Sequence, residues 1–251
     1  MTATVRLEFA ASIATLVLAR PPLNALSLEL LDSIQNALDQ VAAAGVHILR
    51  IRSDVGAFCA GADLAAVGAI MGADDPGAEM RRFVEAFHAL NNRLAGLGAI
   101  TIAEIEGAAL GGGLELAMAC DFRIATERAR LGLPETKLGL IPAAGGTFRL
   151  REVAGLAVAR RLILTGETLR PDDALACGIV DAVLRGTEEE IRSGFEQFAG
   201  KTAGNGKAAL LAAKRCLSRP PQEGQAAEIA EISALVTDTE TQARVNSFLK
   251  T

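Results

Sequence analysis

Apolar positions recur along this chain in alternating strand-like and helix-like rhythms. Val5–Phe9 and Ile13–Ala19 are short β-type runs on either side of Ala10-Ala11-Ser12 and read as a hairpin. Ser27 then precedes Leu28, Leu31, Ile34 or Gln35, Leu38 and Val41. That helical spacing predicts a helix capped by Ser27 and running to about Ala44. His47–Arg52 reads as a strand, and Gly56–Asp63 as a turn rich in glycine and alanine. Pro76-Gly77 opens a second amphipathic helix, from about Ala78 to Leu94, with Phe83, Phe87, Leu90 and Leu94 on one face. Ile100–Ile105 is again strand-like and leads directly into a run of glycines. Strand, turn, helix and strand in succession predict an α/β fold. From about Glu188 onwards the pattern is helical, broken at Gly204-Asn205-Gly206 and at Pro220-Pro221. Residues 1–195 are therefore expected to form an α/β core, and residues 196–251 a helical appendage.

The glycine run carries the chemistry. In Leu110-Gly111-Gly112-Gly113-Leu114-Glu115, three consecutive glycines clear side chains from a turn, so that backbone N–H groups can approach a ligand. Leu114 to Cys120 read as the first turns of an apolar helix, whose positive dipole end would face whatever sits by the glycines. Close helix packing is the simpler use of such glycines. Glu115 is the one carboxylate in that apolar stretch, and Glu135 follows in Leu133-Pro134-Glu135-Thr136. N–H donors beside a carboxylate in apolar surroundings suggest chemistry on a carbonyl group. The alternative for Glu115 is dipole complementation in a first helical turn; for Glu135 it is a loop acid after proline.

Composition narrows the classes. The 251 residues, 50% of them hydrophobic, suffice for a full core. A net charge of −5 and the absence of Trp and Tyr leave no global footprint for nucleic acid, so no nucleic-acid partner is expected. Cys59, Cys120, Cys177 and Cys216 are widely spaced in apolar or helical contexts, as in reduced cytoplasmic proteins, and form no zinc pattern. His47 and His88, the only histidines, fit packing or surface roles, and no metal site is expected. No basic-then-apolar leader opens the sequence and no apolar run reaches membrane-spanning length, so a cytoplasmic protein without a membrane partner is expected.

Four segments, in order, resemble the enoyl-CoA hydratase/isomerase (crotonase) superfamily. They are Arg20-Pro21-Pro22-Leu23-Asn24-Ala25-Leu26, Ala57-Phe58-Cys59-Ala60-Gly61-Ala62-Asp63-Leu64, Ile105-Glu106-Gly107 through Asp121, and Leu133-Pro134-Glu135 through Leu150. The resemblance implies a repeated ββα spiral core with a C-terminal α-helical region, assembled as a homotrimer or homohexamer. It also implies a substrate carried as a coenzyme A thioester, with no separate cofactor. Carried over by position, the oxyanion donors are the backbone N–H groups of Ala62 and Gly112, beside Gly111. Ala60, Ala62, Asp63 and Leu64 would contact the adenine part of coenzyme A, and Leu23, Asn24 and Ala25 would pass near the pantetheine. Read from the residues alone, Gly61 is an ordinary turn and Asp63 a helix cap.

Glu115 and Glu135 match the two acidic positions of family hydratases. The implied reaction is syn addition of water to a 2-enoyl thioester, giving a 3-hydroxyacyl-CoA. Glu115 would deprotonate the water and protonated Glu135 would supply the α-proton. The sequence departs from the family's Pro-Gly-Ala-Gly-Gly-Thr stretch at Ala143, where a glycine's backbone helps position the attacking water. Alanine keeps the N–H but restricts φ. An isomerase would need mainly Glu135 as base, and a non-catalytic RNA- or CoA-binding assembly protein would need neither acid. The acyl specificity rests on Met71–Leu94 and the C-terminal helices; Arg81 and Arg82 would favour an acidic acyl group if they faced the pocket. Leu210, Leu211, Leu217, Ile229, Ile232, Leu235, Val236, Val245 and Phe248 exceed what a small appendage buries on itself, which points to subunit contacts.

Overall fold

The computed structural model describes residues 4–250. The expected hairpin is β1 (Val5–Ala10) and β2 (Ile13–Leu18), antiparallel, with Ala10 opposite Ile13. Ser27 caps α1 (Leu28–Ala44), its side chain accepting the Leu30 N–H at 3.4 Å. The helix buries Leu31, Ile34, Leu38 and Val41 of the predicted stripe.

The chain then repeats a unit of two strands and a helix. The first strands of the units, β3 (Ile48–Ser53), β5 (Ile100–Ile105) and β7 (Phe122–Thr126), run parallel and side by side. With β10 (Ala182–Leu184) they complete a six-stranded sheet ordered β1-β2-β3-β5-β7-β10. The second strands, β4 (Ala57–Cys59), β6 (Ala108–Leu110) and β8 (Arg130–Gly132), also lie side by side and parallel, in a four-stranded sheet. Its far edge is β9 (Thr168–Leu169), antiparallel to β8. The units are completed by α2 (Leu64–Met71) with α3 (Pro76–Ala95), by α4 (Gly112–Met118), and by α5 (Gly146–Thr165), which is interrupted at Gly155. Each unit therefore advances one strand in both sheets at once. β4 falls within the stretch expected to be a turn, and β6 separates β5 from the glycines. Strands of three residues are too short to display an alternating pattern.

The large sheet is covered on both faces, so its central strands carry apolar residues on either side, with the Arg50–Glu104 ion pair among them. Leu49, Ile51, Ala103, Ile105 and Ala125 point into the main core, while Ile48, Ile100, Ile102 and Ile124 point the other way. That second face is covered by Ile191, Phe195 and Ala199 of α7 (Glu188–Ala203), a helix continuous across residues 195 and 196. The breaks expected from Gly204-Asn205-Gly206 and Pro220-Pro221 separate α7, α8 (Lys207–Leu217) and α9 (Pro221–Leu235), and α10 (Thr239–Phe248) follows. Lys214 of α8 ties this region to the sheet, donating to Asp121 Oδ2 at 2.7 Å and to the Ala99 carbonyl at 2.9 Å. Asp121 also accepts from the N–H and hydroxyl of Thr101, and Arg123 donates to the Ile179 and Cys120 carbonyls, so both residues are structural. Ile229, Ile232, Val236 and Val245 stay more than half exposed.

Asn24 joins the segment before α1 to β3 and β4. It is fully buried, and its Nδ2 donates to Ser53 Oγ, the Phe58 carbonyl and the Ala57 carbonyl, while its Oδ1 accepts the Arg20 N–H. Removing such a side chain leaves several buried groups unsatisfied. Asn24→Ala is expected to lower stability by about 2–4 kcal/mol, read from urea melts. A loss within about 0.5 kcal/mol, as at an ordinary surface position, would contradict this structural role.

Candidate active site

The ends of β4 and β6 meet beside a cavity of about 280 Å³. Gly61 and Gly112 pack so closely that a Cβ on Gly61 would stand 3.3 Å from Gly112 N. Gly111, at φ 52°, turns the chain from β6 into α4. A Cβ on Gly113 would overlap the Cys59 carbonyl oxygen, so this glycine lets α4 lie directly on β4. Gly112 is the first residue of α4, where a helix leaves its N–H groups without internal acceptors. Among the described residues, neither the Ala62 nor the Gly112 N–H meets a protein acceptor.

Glu115 lies one turn into α4, buried at the base of the cavity. Its Oε1 accepts the N–H groups of Ala144 at 2.8 Å and Gly146 at 2.7 Å, leaving Oε2 without a protein hydrogen bond. Burial pushes its carboxyl up to about 7, reinforced by the repulsion of Glu135. The two N–H bonds and the Arg149 guanidinium oppose that rise. Glu135 sits in a single 3-10 turn, Glu135–Leu138, with its carboxyl against Gly111; burial raises its pKa too. Glu135 Oε2 is buried with no hydrogen-bond partner among the described residues. The remaining wall is apolar and includes Leu64, Val67, Met80, Phe83, Phe87 and Ile141.

The structure brings Ala60, Ala62, Leu64, Gly111, Gly112, Glu115, Glu135 and Ala143 to this wall. Leu23, Asn24, Ala25 and Asp63 do not reach it. Leu23 is exposed, the Asn24 side chain is consumed internally, and the Ala25 carbonyl accepts from Arg20 at 2.7 Å. Asp63 caps α2, accepting from the Ala65 and Ala66 N–H groups, and pairs with Arg20 at 2.7 Å. That agrees with the cap reading of its sequence. Among the described residues of one chain, none from the C-terminal helices lines the cavity; α8 packs on β5 and on α9 instead. Arg81 and Arg82 are exposed and line no part of the cavity. Ala143 has no left-handed φ, whereas Gly145, two residues on, has φ 110°. The glycine lost at 143 is thus not one that the loop's conformation requires.

Sequence reasoning missed what holds Glu115. Its N–H donors come from a loop distant in sequence, and Asn91 and Arg149 bind that loop's Ala144 carbonyl, at 3.0 and 3.4 Å. Both residues have polar neighbours in the sequence, so no local signal marks the role. The Cys59 and Cys120 thiols are fully buried and pushed up to about 12, which leaves them protonated at neutral pH. Among the described residues no cluster of His, Cys, Asp and Glu could hold a metal ion, and no helix is long and apolar enough to cross a membrane.

Stacked ββα units, with a cavity where their short strands end against a long helix, define a crotonase-like α/β protein. The chain belongs to the enoyl-CoA hydratase/isomerase family, whose model matches residues 8–250. It is 44% identical over 168 residues to the mitochondrial methylglutaconyl-CoA hydratase of Rattus norvegicus, covering 66% of this chain and 52% of that protein. It is 43% identical over 169 residues to a probable enoyl-CoA hydratase of Bacillus subtilis (strain 168), covering 67% of this chain and 64% of that protein. The matched stretches thus span about half to two thirds of these relatives' length. Among solved structures, enoyl-CoA hydratase from Bacillus anthracis superposes with a TM-score of 0.91 at 32% identity, covering 99% of this chain and 96% of that one. DspI of Pseudomonas aeruginosa superposes at 0.90 and 30% identity, covering 99% and 95%.

The raised Glu115 pKa has a consequence for stability. The folded protein holds this proton more tightly than the unfolded chain, whose value is 4.5, so the stabilisation is complete below 4.5 and is lost as pH rises to about 7. The loss can reach about 1.4 kcal/mol per pH unit. Urea melts should therefore show Glu115→Gln gaining on the wild type between about pH 5 and pH 7. Parallel pH dependences of the two proteins would contradict this.

Proposed function

We propose that the protein hydrates 2-enoyl-CoA thioesters, adding water syn across the double bond to give the 3-hydroxyacyl-CoA. One observation carries this reading: Glu115 and Glu135 line the same apolar cavity as Ala62 and Gly112, whose N–H groups have no protein acceptor. With the thioester oxygen at those N–H groups, Glu115 Oε2 removes a proton from water as the water oxygen bonds to C3. The π electrons move through C2 onto the thioester oxygen, where two N–H groups and the start of α4 stabilise the enolate; a donor of this kind is worth roughly 3–4 kcal/mol. Glu135 then delivers its proton to C2. The pair ends with Glu115 protonated and Glu135 ionised, and proton exchange resets it.

The electrostatics support those roles. Glu115 and the partly buried Glu135 share one cavity, and the charge of Glu135 disfavours ionising Glu115. Glu115 has two N–H donors to stabilise its anion, whereas Glu135 has none from other residues. Those donors favour the anion on Glu115. The mechanism requires Glu135 to carry the proton and Glu115 to be ionised, a state reached as pH rises towards the Glu115 value of about 7. Retention of both acids favours hydration over isomerisation, for which Glu135 would serve alone as base.

The acyl group in this reading is uncharged. The methylglutaconyl thioester named for the rat relative carries a second carboxylate. Here the charged side chains on the cavity wall are Glu115 and Glu135, which would repel one. We propose further that the exposed apolar residues of α9 and α10 meet neighbouring subunits in a trimer or hexamer. Light scattering should find one of these sizes at micromolar concentration, and an active monomer would contradict it. The cytoplasm is the proposed location.

Glu115→Gln and Glu135→Gln should each fold and bind thioester while hydration falls by at least about a hundredfold. The double variant should lose far less than the product of the two, because both acids act on one transition state. The assay runs uncharged and acidic 2-enoyl-CoA thioesters in parallel. Near-native hydration by Glu115→Gln, with double-bond migration abolished in Glu135→Gln, would instead establish an isomerase.

A further inference from the structure

Helix α3 presents two different faces to the site. Phe83 and Phe87 line the cavity, and a Cβ on Gly112 would stand only 2.7 Å from the Phe87 ring. One residue further round, His88, Asn91 and Asn92 occupy positions i, i+3 and i+4 and so share a face. All three grip the start of α5 or the loop before it. His88 stacks on Phe148 with ring centroids 6.3 Å apart. Asn91 Nδ2 donates to the Ala144 carbonyl at 3.0 Å, and Asn92 Oδ1 accepts from Arg149 Nη2 at 2.9 Å. Arg149 folds back over the Phe148 ring at 4.9 Å, and its Nη1 reaches the same Ala144 carbonyl at 3.4 Å.

Ala144 is thus held from both ends. Its carbonyl takes Asn91 and Arg149, and its N–H goes to Glu115 Oε1, beside that of Gly146. Asn91 is fully buried and its Oδ1 has no partner among the described residues. An apolar residue there would avoid that orphaned acceptor, and it would also lose the bond to Ala144. Arg149 is nine-tenths buried, a costly place for a guanidinium unless its charge and its fork are both used.

We propose that Asn91 and Arg149 are positioning residues for the Glu115 carboxylate, acting through Ala144 to hold the loop whose two N–H groups grip Oε1. This rests on the reading of Glu115 as the base in hydration. Two charged groups face that carboxyl: Glu135, from the 3-10 turn, and Arg149, from α5, itself near Glu152. Arg149 is the cation that offsets burial and the repulsion of Glu135. Without it the Glu115 anion is harder to form; without Asn91 the anion forms but is held loosely.

The test compares Arg149→Met, Arg149→Lys and Asn91→Leu with the wild type, by the pH profile of kcat/KM and by NMR titration of ¹³C-labelled Glu carboxyls. The Glu115 signal is assigned by its loss in Glu115→Gln. Arg149→Met should move the acidic limb and the Glu115 titration upward by about half a unit or more. Arg149→Lys keeps the charge, so it should restore the titration, yet kcat should stay low because an ammonium cannot span both acceptors. Asn91→Leu should lower kcat about tenfold or more, with KM little changed. Folded variants with wild-type titration and kcat would overturn the proposal, as would losses matching only the fraction unfolded. If Arg149→Met does not fold, Asn91→Leu and Arg149→Lys decide by the same criteria. Absence of hydration in the wild type would defeat the functional reading alone, because the NMR titration still reports on the clamp.

Discussion

A carboxylate inside an apolar cavity is tolerable only where the protein answers its charge locally, and the bonds from Ala144 and Gly146 to Glu115 are that answer. Both donors are peptide groups, which cannot reorient without moving the chain. The site's geometry therefore depends on the loop from Pro142 to Gly145. The glycine after that loop, Gly146, is part of the same constraint, because a Cβ there would stand 2.8 Å from Glu115 Oε1. The acid, the loop and the start of α5 form one packed unit, and altering any of them shifts the others.

The stacked ββα units explain how so small a region collects so many functional groups. Because each unit advances both sheets by one strand, β4 and β6 end side by side, and the N–H groups that follow them face one space. The α4 carboxylate and the turn carrying Glu135 come from consecutive units, so both acids arrive from the same side of the small sheet. Helix α3 then closes the cavity with Phe83 and Phe87 while its adjacent face restrains the loop that holds the base. A single helix thereby links the shape of the acyl cavity to the position of the base.

Much of this was legible in the sequence, in a pattern that follows interaction range. α1, α3 and β5 show as periodic apolar runs with local caps, and the breaks among the C-terminal helices show as glycine and proline. Glu115 and Glu135 stand out as acids in apolar or proline-bounded surroundings. β4 and β6 stayed hidden because three residues carry no period, though the residues that follow them line the site. The clamp of Asn91, Arg149 and Ala144 was invisible for a different reason: Asn91 and Asn92 reach the loop and Arg149 across more than 50 positions, and neither Asn91 nor Arg149 stands out locally. The C-terminal helices were expected both to contribute to the acyl pocket and, from their apolar content, to meet other subunits. That content says a surface is covered, and not which surface.

Ala143 shows how the local and the long-range constraints divide. Judged from the sequence, replacing a glycine in this loop endangers the placement of water, since alanine restricts φ. In the folded chain the positive φ belongs to Gly145, where an added Cβ would also run into Arg149. Glu115's donors are the N–H groups of 144 and 146, so a methyl at 143 removes none of them. The substitution adds a methyl to the wall of the cavity that holds both acids. Burial is the largest cause of the raised pKa at both carboxyls. The substitution therefore leaves the loop's backbone geometry and both of Glu115's donors in place.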